Sequence, residues 1–172
     1  MTDGLMLPPG AGDSFQGMTL KVGAGQTTSF SVFEAEVAPG FDVGAHWHEQ
    51  AEETFYVLDG ELDLLAFAPA GVEAEKDWRR WESATGQTVV RGGPGSFMFV
   101  PAGCPHAFHN PGVTPARMLL VVSPPGHEAY LRELTDLLAS GGPPDQAAIE
   151  ALRGRYDIHQ LTGLRTRPPG AE

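Results

Sequence analysis

From Gly17 to Ser123 the sequence is a succession of short β-branched and aromatic runs, each closed off by Gly or Pro, and this punctuation restricts the fold most. A chain interrupted so often cannot build long helices there, because Pro lacks the amide hydrogen and Gly gives up too much backbone freedom. The pattern predicts an all-β sandwich or barrel with strands at 18–22, 28–38, 43–48, 53–58, 61–67, 87–91, 96–100, 105–110 and 117–123. In "SFSVFEAEV", Phe33, Ala35 and Val37 fall on one face and Glu34 and Glu36 on the other, so one side is buried and one is wet. Phe30 and Val32 lie on the wet side, which calls for cover by a second copy of the chain or by the N-terminal segment.

After "SPPG" the period changes. Tyr130, Leu131, Leu134 and Leu138 form a helical stripe within 127–139, and a second helix is expected to start after Pro143-Pro144 and stop at Gly154. Both helices are expected to pack outside the barrel. The chain then divides into an N-terminal arm (1–16), a β-barrel (17–123), a helical segment (124–160) and a disordered tail (161–172), whose "RTRPPGAE" has no periodicity. The interval 61–94 is longer than a hairpin requires. Within its 69–86 loop, Trp78 and Trp81 either cover the barrel mouth or join an interface between subunits.

A net charge of −11 disfavours binding to phosphate backbones, which need clustered cations. Nucleic acid is therefore not an expected partner, and Arg79 and Arg80 in "DWRRWE" read as a solvated loop. A single cysteine, Cys104, leaves no intramolecular disulfide to form. The opening "MTDGLMLPPGAGDSF" has neither a basic leader nor an unbroken apolar run, so no signal peptide or membrane span is expected and the reading is cytoplasmic. "GAGQTT" lacks the third glycine and the strand-to-helix setting of a phosphate loop.

Two stretches carry concentrated chemistry. The first follows G-x5-H-x-H-x4-E-x6-G through Gly40, His46, His48, Glu53 and Gly60; the second follows G-x5-P-x-G-x2-H-x3-N through Gly95, Pro101, Gly103, His106 and Asn110. Together they resemble the two motifs of the cupin superfamily at every defined position. The resemblance implies a jelly-roll β-barrel with a metal near its mouth, held by His46, His48, Glu53 and His106. Residue chemistry agrees with this. His46 and His48, two apart on a strand, share a face. Three imidazoles and one carboxylate suit a single divalent transition metal, Fe, Mn, Ni, Co or Zn, with positions left for substrate. Glu52 is expected to face outward, His109 to point away from the ligand face, and His127 and His159 to lie on the surface. Cys104 reads as a small turn residue, with approach to the metal as the alternative, and Asn110 as a hydrogen-bonding turn residue.

Inward positions at Phe33, Val37, Phe55, Val57, Phe108 and one face of "SFMFV" suit a flat, weakly polar small molecule. The resemblance to small quercetin dioxygenase-like cupins implies an O2-dependent dioxygenase acting on an oxygenated aromatic, flavonoid or polyketide-like substrate, with Glu53 as the catalytic base. A metal-dependent cyclase or isomerase and a non-enzymatic small-molecule-binding protein are the alternatives. The family resemblance also implies a homodimer.

Overall fold

Period-two alternation of apolar and polar side chains produces two antiparallel sheets that together make a jelly roll. The computed structural model describes residues 3–71, 77–139 and 145–163. The larger sheet holds β1 (Asp13–Phe15), β2 (Met18–Val22), β3 (Ser31–Val37), β5 (Glu52–Asp59), β8 (Phe97–Val100) and β10 (Ala116–Ser123), in the order β1-β2-β3-β10-β5-β8. The smaller holds β4 (His46–Trp47), β6 (Leu62–Ala66), β7 (Val90–Gly92), β9 (His106–His109) and β11 (His159–Gln160), in the order β11-β4-β9-β6-β7.

Register makes the interior. Phe33, Leu120, Phe55 and Met98 lie opposite one another across four strands of the large sheet, and all four are buried. Each such side chain contributes about 1.5–3 kcal/mol by leaving water. A slip of one residue would turn the whole row outward, so the pairing is strongly specified. Glu53 belongs to the next inward row, between Val122 and Val100. At the far end of β5, Gly60 turns with φ of 73°, and an added Cβ there would lie 2.8 Å from the Cβ of Ala116.

The sequence-predicted strands recur, several of them trimmed, with 28–38 reduced to Ser31–Val37 and 43–48 to His46–Trp47. Two additions come from pairing rather than from pattern. Residues 13–15, placed in the arm, form an edge strand on β2, and His159–Gln160, placed in the helical segment, pair with β4.

The helical stripe forms α1 (His127–Ala139), and α2 (Gln146–Arg155) follows with Asp145 as its cap, accepting from Ala147 N at 3.0 Å. Pro143-Pro144 and residues 164–172 of the expected tail lie outside the described residues. Tyr130, Leu131 and Leu152 join the main core. Glu128 fastens α1 to the large sheet by accepting from Ser31 Oγ at 2.6 Å, Ala24 N at 2.7 Å and Gly126 N at 3.1 Å. No helix among the described residues is long and apolar enough to cross a membrane.

Trp78 and Trp81 correct an expectation. They neither cover the mouth nor present a free surface, because both are buried with Ala45, Leu65, Phe67 and Ala107 in a separate cluster. That cluster lies behind the small sheet, since Leu65 and Ala107 alternate with the inward Leu64 and His106. The Trp78 indole donates to Asp42 Oδ1 at 2.8 Å, which satisfies its buried N–H. The 3-10 turn Trp78–Arg80 carries Arg79, whose guanidinium pairs with Asp77 at 2.7 Å.

Candidate metal centre

Three side chains from residues 46–53 and one from residue 106 converge between the sheets. His46 on β4 lies opposite His106 on β9, with ring centroids 4.2 Å apart. His48, just beyond β4, is 5.2 Å from each of those rings. One ring nitrogen from each of the three lies within 4.8 Å of the others, an arrangement that can hold a metal ion. Glu53 approaches from the large sheet, its two carboxylate oxygens 3.2 Å from His48 Nε2 and His106 Nε2. All four are buried, His106 completely.

The backbone sets the ring orientations. His46 Nδ1 meets Gly44 O at 2.9 Å, His48 Nδ1 meets Asp157 O at 2.8 Å and His106 Nδ1 meets Cys104 O at 3.0 Å. A carbonyl only accepts, so each Nδ1 carries a proton and Nε2 is the nitrogen turned toward the cluster. His48 Nε2 and His106 Nε2 are buried and make no well-formed hydrogen bond, each facing a Glu53 oxygen at 3.2 Å. Buried polar atoms left in this way are costly unless another group completes them, and a cation does so for two nitrogens and a carboxylate at once.

Electrostatics point the same way. Burial holds His46 well below the usual imidazole range, with the nearby His106 adding to the effect. Burial also opposes charge on His48, but the Glu53 carboxylate outweighs it and raises that ring. Burial alone would raise Glu53; His106 and His48 beside it hold the carboxyl well below the carboxylate range. The group is therefore an anion while fully enclosed.

Other expectations sort around this cluster. Glu52 is exposed, one residue from the buried Glu53, because neighbouring strand residues face opposite ways. Cys104 contributes its carbonyl to His106, while burial raises its thiol. Gly103 N donates to His48 O at 2.7 Å, tying the turn before His106 to the first pair of histidines. Asn110 closes a turn: its amide donates to Val37 O at 2.8 Å and Thr114 O at 2.9 Å and accepts from Gly112 N at 2.8 Å. His109 faces the other side of its strand and pairs with Asp63 at 3.1 Å. His159 is half-exposed and stacks on Trp47 at 4.3 Å.

His127, expected at the surface, is half-buried. Its ring packs edge-on to the buried Phe33 at 5.9 Å and against Tyr130 at 5.3 Å. Burial lowers it, while Glu53 pulls the other way and His48 adds to the lowering, which puts it within electrostatic range of the cluster. The helical stripe held a usable signal, since His127 and Tyr130 are one turn apart on the face that buries Leu131 and Leu134. The wall near the cluster is aromatic, with Phe55 6.1 Å from His106 and 6.0 Å from Phe108. In "SFMFV" the inward residues are Met98 and Val100, and both phenylalanines face out.

Residues 16–138 match the family model for Cupin, and the chain belongs to that family. Similar solved structures include a conserved protein with a double-stranded β-helix domain from Klebsiella pneumoniae, 18% identical over 70% of this chain and 84% of that one, with a TM-score of 0.46. KdgF from Halomonas sp. is 17% identical over 68% of this chain and 89% of that one, with a TM-score of 0.47. A predicted oxalate decarboxylase from Thermotoga maritima is 23% identical over 62% and 77%, with a TM-score of 0.46. None of the curated proteins matches the chain.

Proposed function

We propose that His46, His48, Glu53 and His106 hold one divalent transition metal per chain, Fe, Mn, Ni, Co or Zn, and that the protein is an O2-dependent dioxygenase of a small oxygenated aromatic, flavonoid or polyketide-like compound. The observation that carries the reading is the convergence of three buried imidazoles on one enclosed carboxylate, with two of the ring nitrogens making no well-formed hydrogen bond. Such a metal supplies Lewis acidity and open positions for a substrate oxygen. Glu53 accepts the proton of an incoming phenol or enol, the base function a carboxylate can perform once it turns one oxygen toward the hydroxyl. Phe55 and Phe108 form an apolar wall for the ring and exclude water from the charged groups. Oxygen-electrode traces with a flavonol test the reading: uptake of one O2 per substrate lost supports it, and loss of substrate at the same rate under argon contradicts it.

The second reading is a metal-dependent cyclase or isomerase, in which His127, packed on Phe33 and Tyr130, supplies a further titratable ring on the barrel wall. Turnover without oxygen selects that reading, and tight binding without turnover selects a non-enzymatic binding protein. The working unit in this proposal is a cytoplasmic homodimer. Its contact is the outward face of the large sheet, where Phe97 is 65%, Phe99 51%, Tyr56 42% and Phe30 39% exposed. Val32, Val121, Thr54 and Phe99 form one row across this face, and Leu119, Tyr56 and Phe97 extend it in the next.

A further inference from the structure

Arg153, in the last turn of α2, is only 5% exposed, and its Nε donates to the Tyr130 hydroxyl at 3.2 Å. Among the described residues no carboxylate pairs with it. A guanidinium this enclosed, with a neutral partner and no counter-ion, is unfavourable, although its terminal nitrogens are not sealed from solvent. Tyr130 is 4% exposed and uses its oxygen as the acceptor, so its own O–H remains available to donate. With Nε engaged, the two terminal nitrogens of Arg153 still present a planar fork, the shape that meets two coplanar oxygens.

These groups lead toward the histidine cluster. The Tyr130 ring is 5.3 Å from His127, and His127 is 5.9 Å from Phe33 on the barrel wall. The Arg153 carbonyl accepts from Ile158 N at 3.0 Å, adjacent to Asp157, whose carbonyl fixes His48. The α2 end that carries the cation is thus built into the support of one of the four converging side chains.

We propose that Arg153 and Tyr130 form a carboxylate-recognition pair in the helical cap, and that the substrate of the centre carries a carboxylate in addition to the oxygen directed at the metal. The substrate assignment rests on the metal-site reading above, whereas the recognition pair stands on Arg153 and Tyr130 alone. It narrows the substrate class from weakly polar aromatics to aromatic or enolic acids. On a chain with a net charge of −11, a local cation is what allows an acid to be held at all.

Isothermal titration of the full chain with benzoate, and with uncharged benzamide as its isostere, tests the pair. Saturable benzoate binding about tenfold or more tighter than benzamide is expected, with Arg153→Gln removing at least about tenfold of the benzoate affinity. Tyr130→Phe, which keeps the cation and deletes one donor, is expected to weaken benzoate by about threefold or more while leaving benzamide unchanged. Equal affinity for the two probes, an unchanged benzoate affinity in Arg153→Gln, or tighter binding of inorganic phosphate than of benzoate overturns the proposal. If Arg153→Gln fails to fold, Tyr130→Phe and the benzoate–benzamide comparison decide it. A parallel Co(II) titration separates the two claims, because absent Co(II) binding defeats the metal reading and leaves the benzoate result intact.

Discussion

Glu128→Gln is expected to loosen the helical cap by an amount that depends on pH. The native carboxylate accepts three hydrogen bonds, from Ser31 Oγ, Ala24 N and Gly126 N, and is mostly buried. Bonds to a charged acceptor are worth about 1.5–3 kcal/mol each and neutral ones about 1, and the glutamine NH2 must face at least one of the donors. The variant should therefore be less stable by about 3 kcal/mol at pH 7. With a urea m-value of about 2 kcal/mol/M, the midpoint falls by about 1.5 M. Burial would raise the Glu128 carboxyl, yet the hydrogen bonds hold its folded pKa below the reference value of 4.5. A depressed folded pKa means that the contribution is complete above the unfolded value and is lost as pH falls through the folded one. Urea titrations at pH 7 and in the acid range should show the parent–variant gap closing at low pH. A midpoint shift below about 0.3 M at pH 7, or a gap that does not change with pH, refutes this account of the anchor.

Three further perturbations separate roles. Glu53→Gln should keep part of the metal affinity and lose about 10²–10⁴ of turnover, while the exposed Glu52→Gln changes little; steady-state rates for the two variants check this. Light scattering should give a dimer of the 18.3 kDa chain, and Phe97→Asp on the outward sheet face should return it to a monomer with its metal retained. Asn110→Ala should cost about 2–4 kcal/mol in urea unfolding, because it strips three hydrogen bonds from a buried turn, and should leave Co(II) affinity within about threefold.

Much of this molecule is legible in its sequence, for identifiable reasons. Period-two alternation is enforced wherever one sheet face is buried, so Phe33, Ala35 and Val37 pointed inward as expected. The four converging residues were readable because their two stretches have fixed spacings, and the β4–β9 register then places His46 against His106. The choice of Glu53 over Glu52 came from the motif spacing, which sets six residues between the glutamate and Gly60, and Glu53 is the buried one of the two. His127 was missed because a helical stripe shows that one face is covered, without showing what covers it. The tryptophans were misplaced for a related reason, since an apolar residue in a long loop can pack behind a sheet as readily as over a mouth. β11 is two residues long, and its hydrogen bonds to β4 come from tertiary placement that no local pattern encodes.

Elemental analysis combined with a thermal-shift titration is the most direct test of the proposed centre. A metal that binds only the folded chain at a thousandfold excess over its Kd adds about 4 kcal/mol, or about 8–16 °C in a domain of this size. One divalent transition metal per 18.3 kDa chain, with a chelator lowering Tm by that amount and His106→Ala abolishing the shift, is the expected result. Protein that contains no metal and shows no change in Tm with Fe, Mn, Ni, Co or Zn contradicts it.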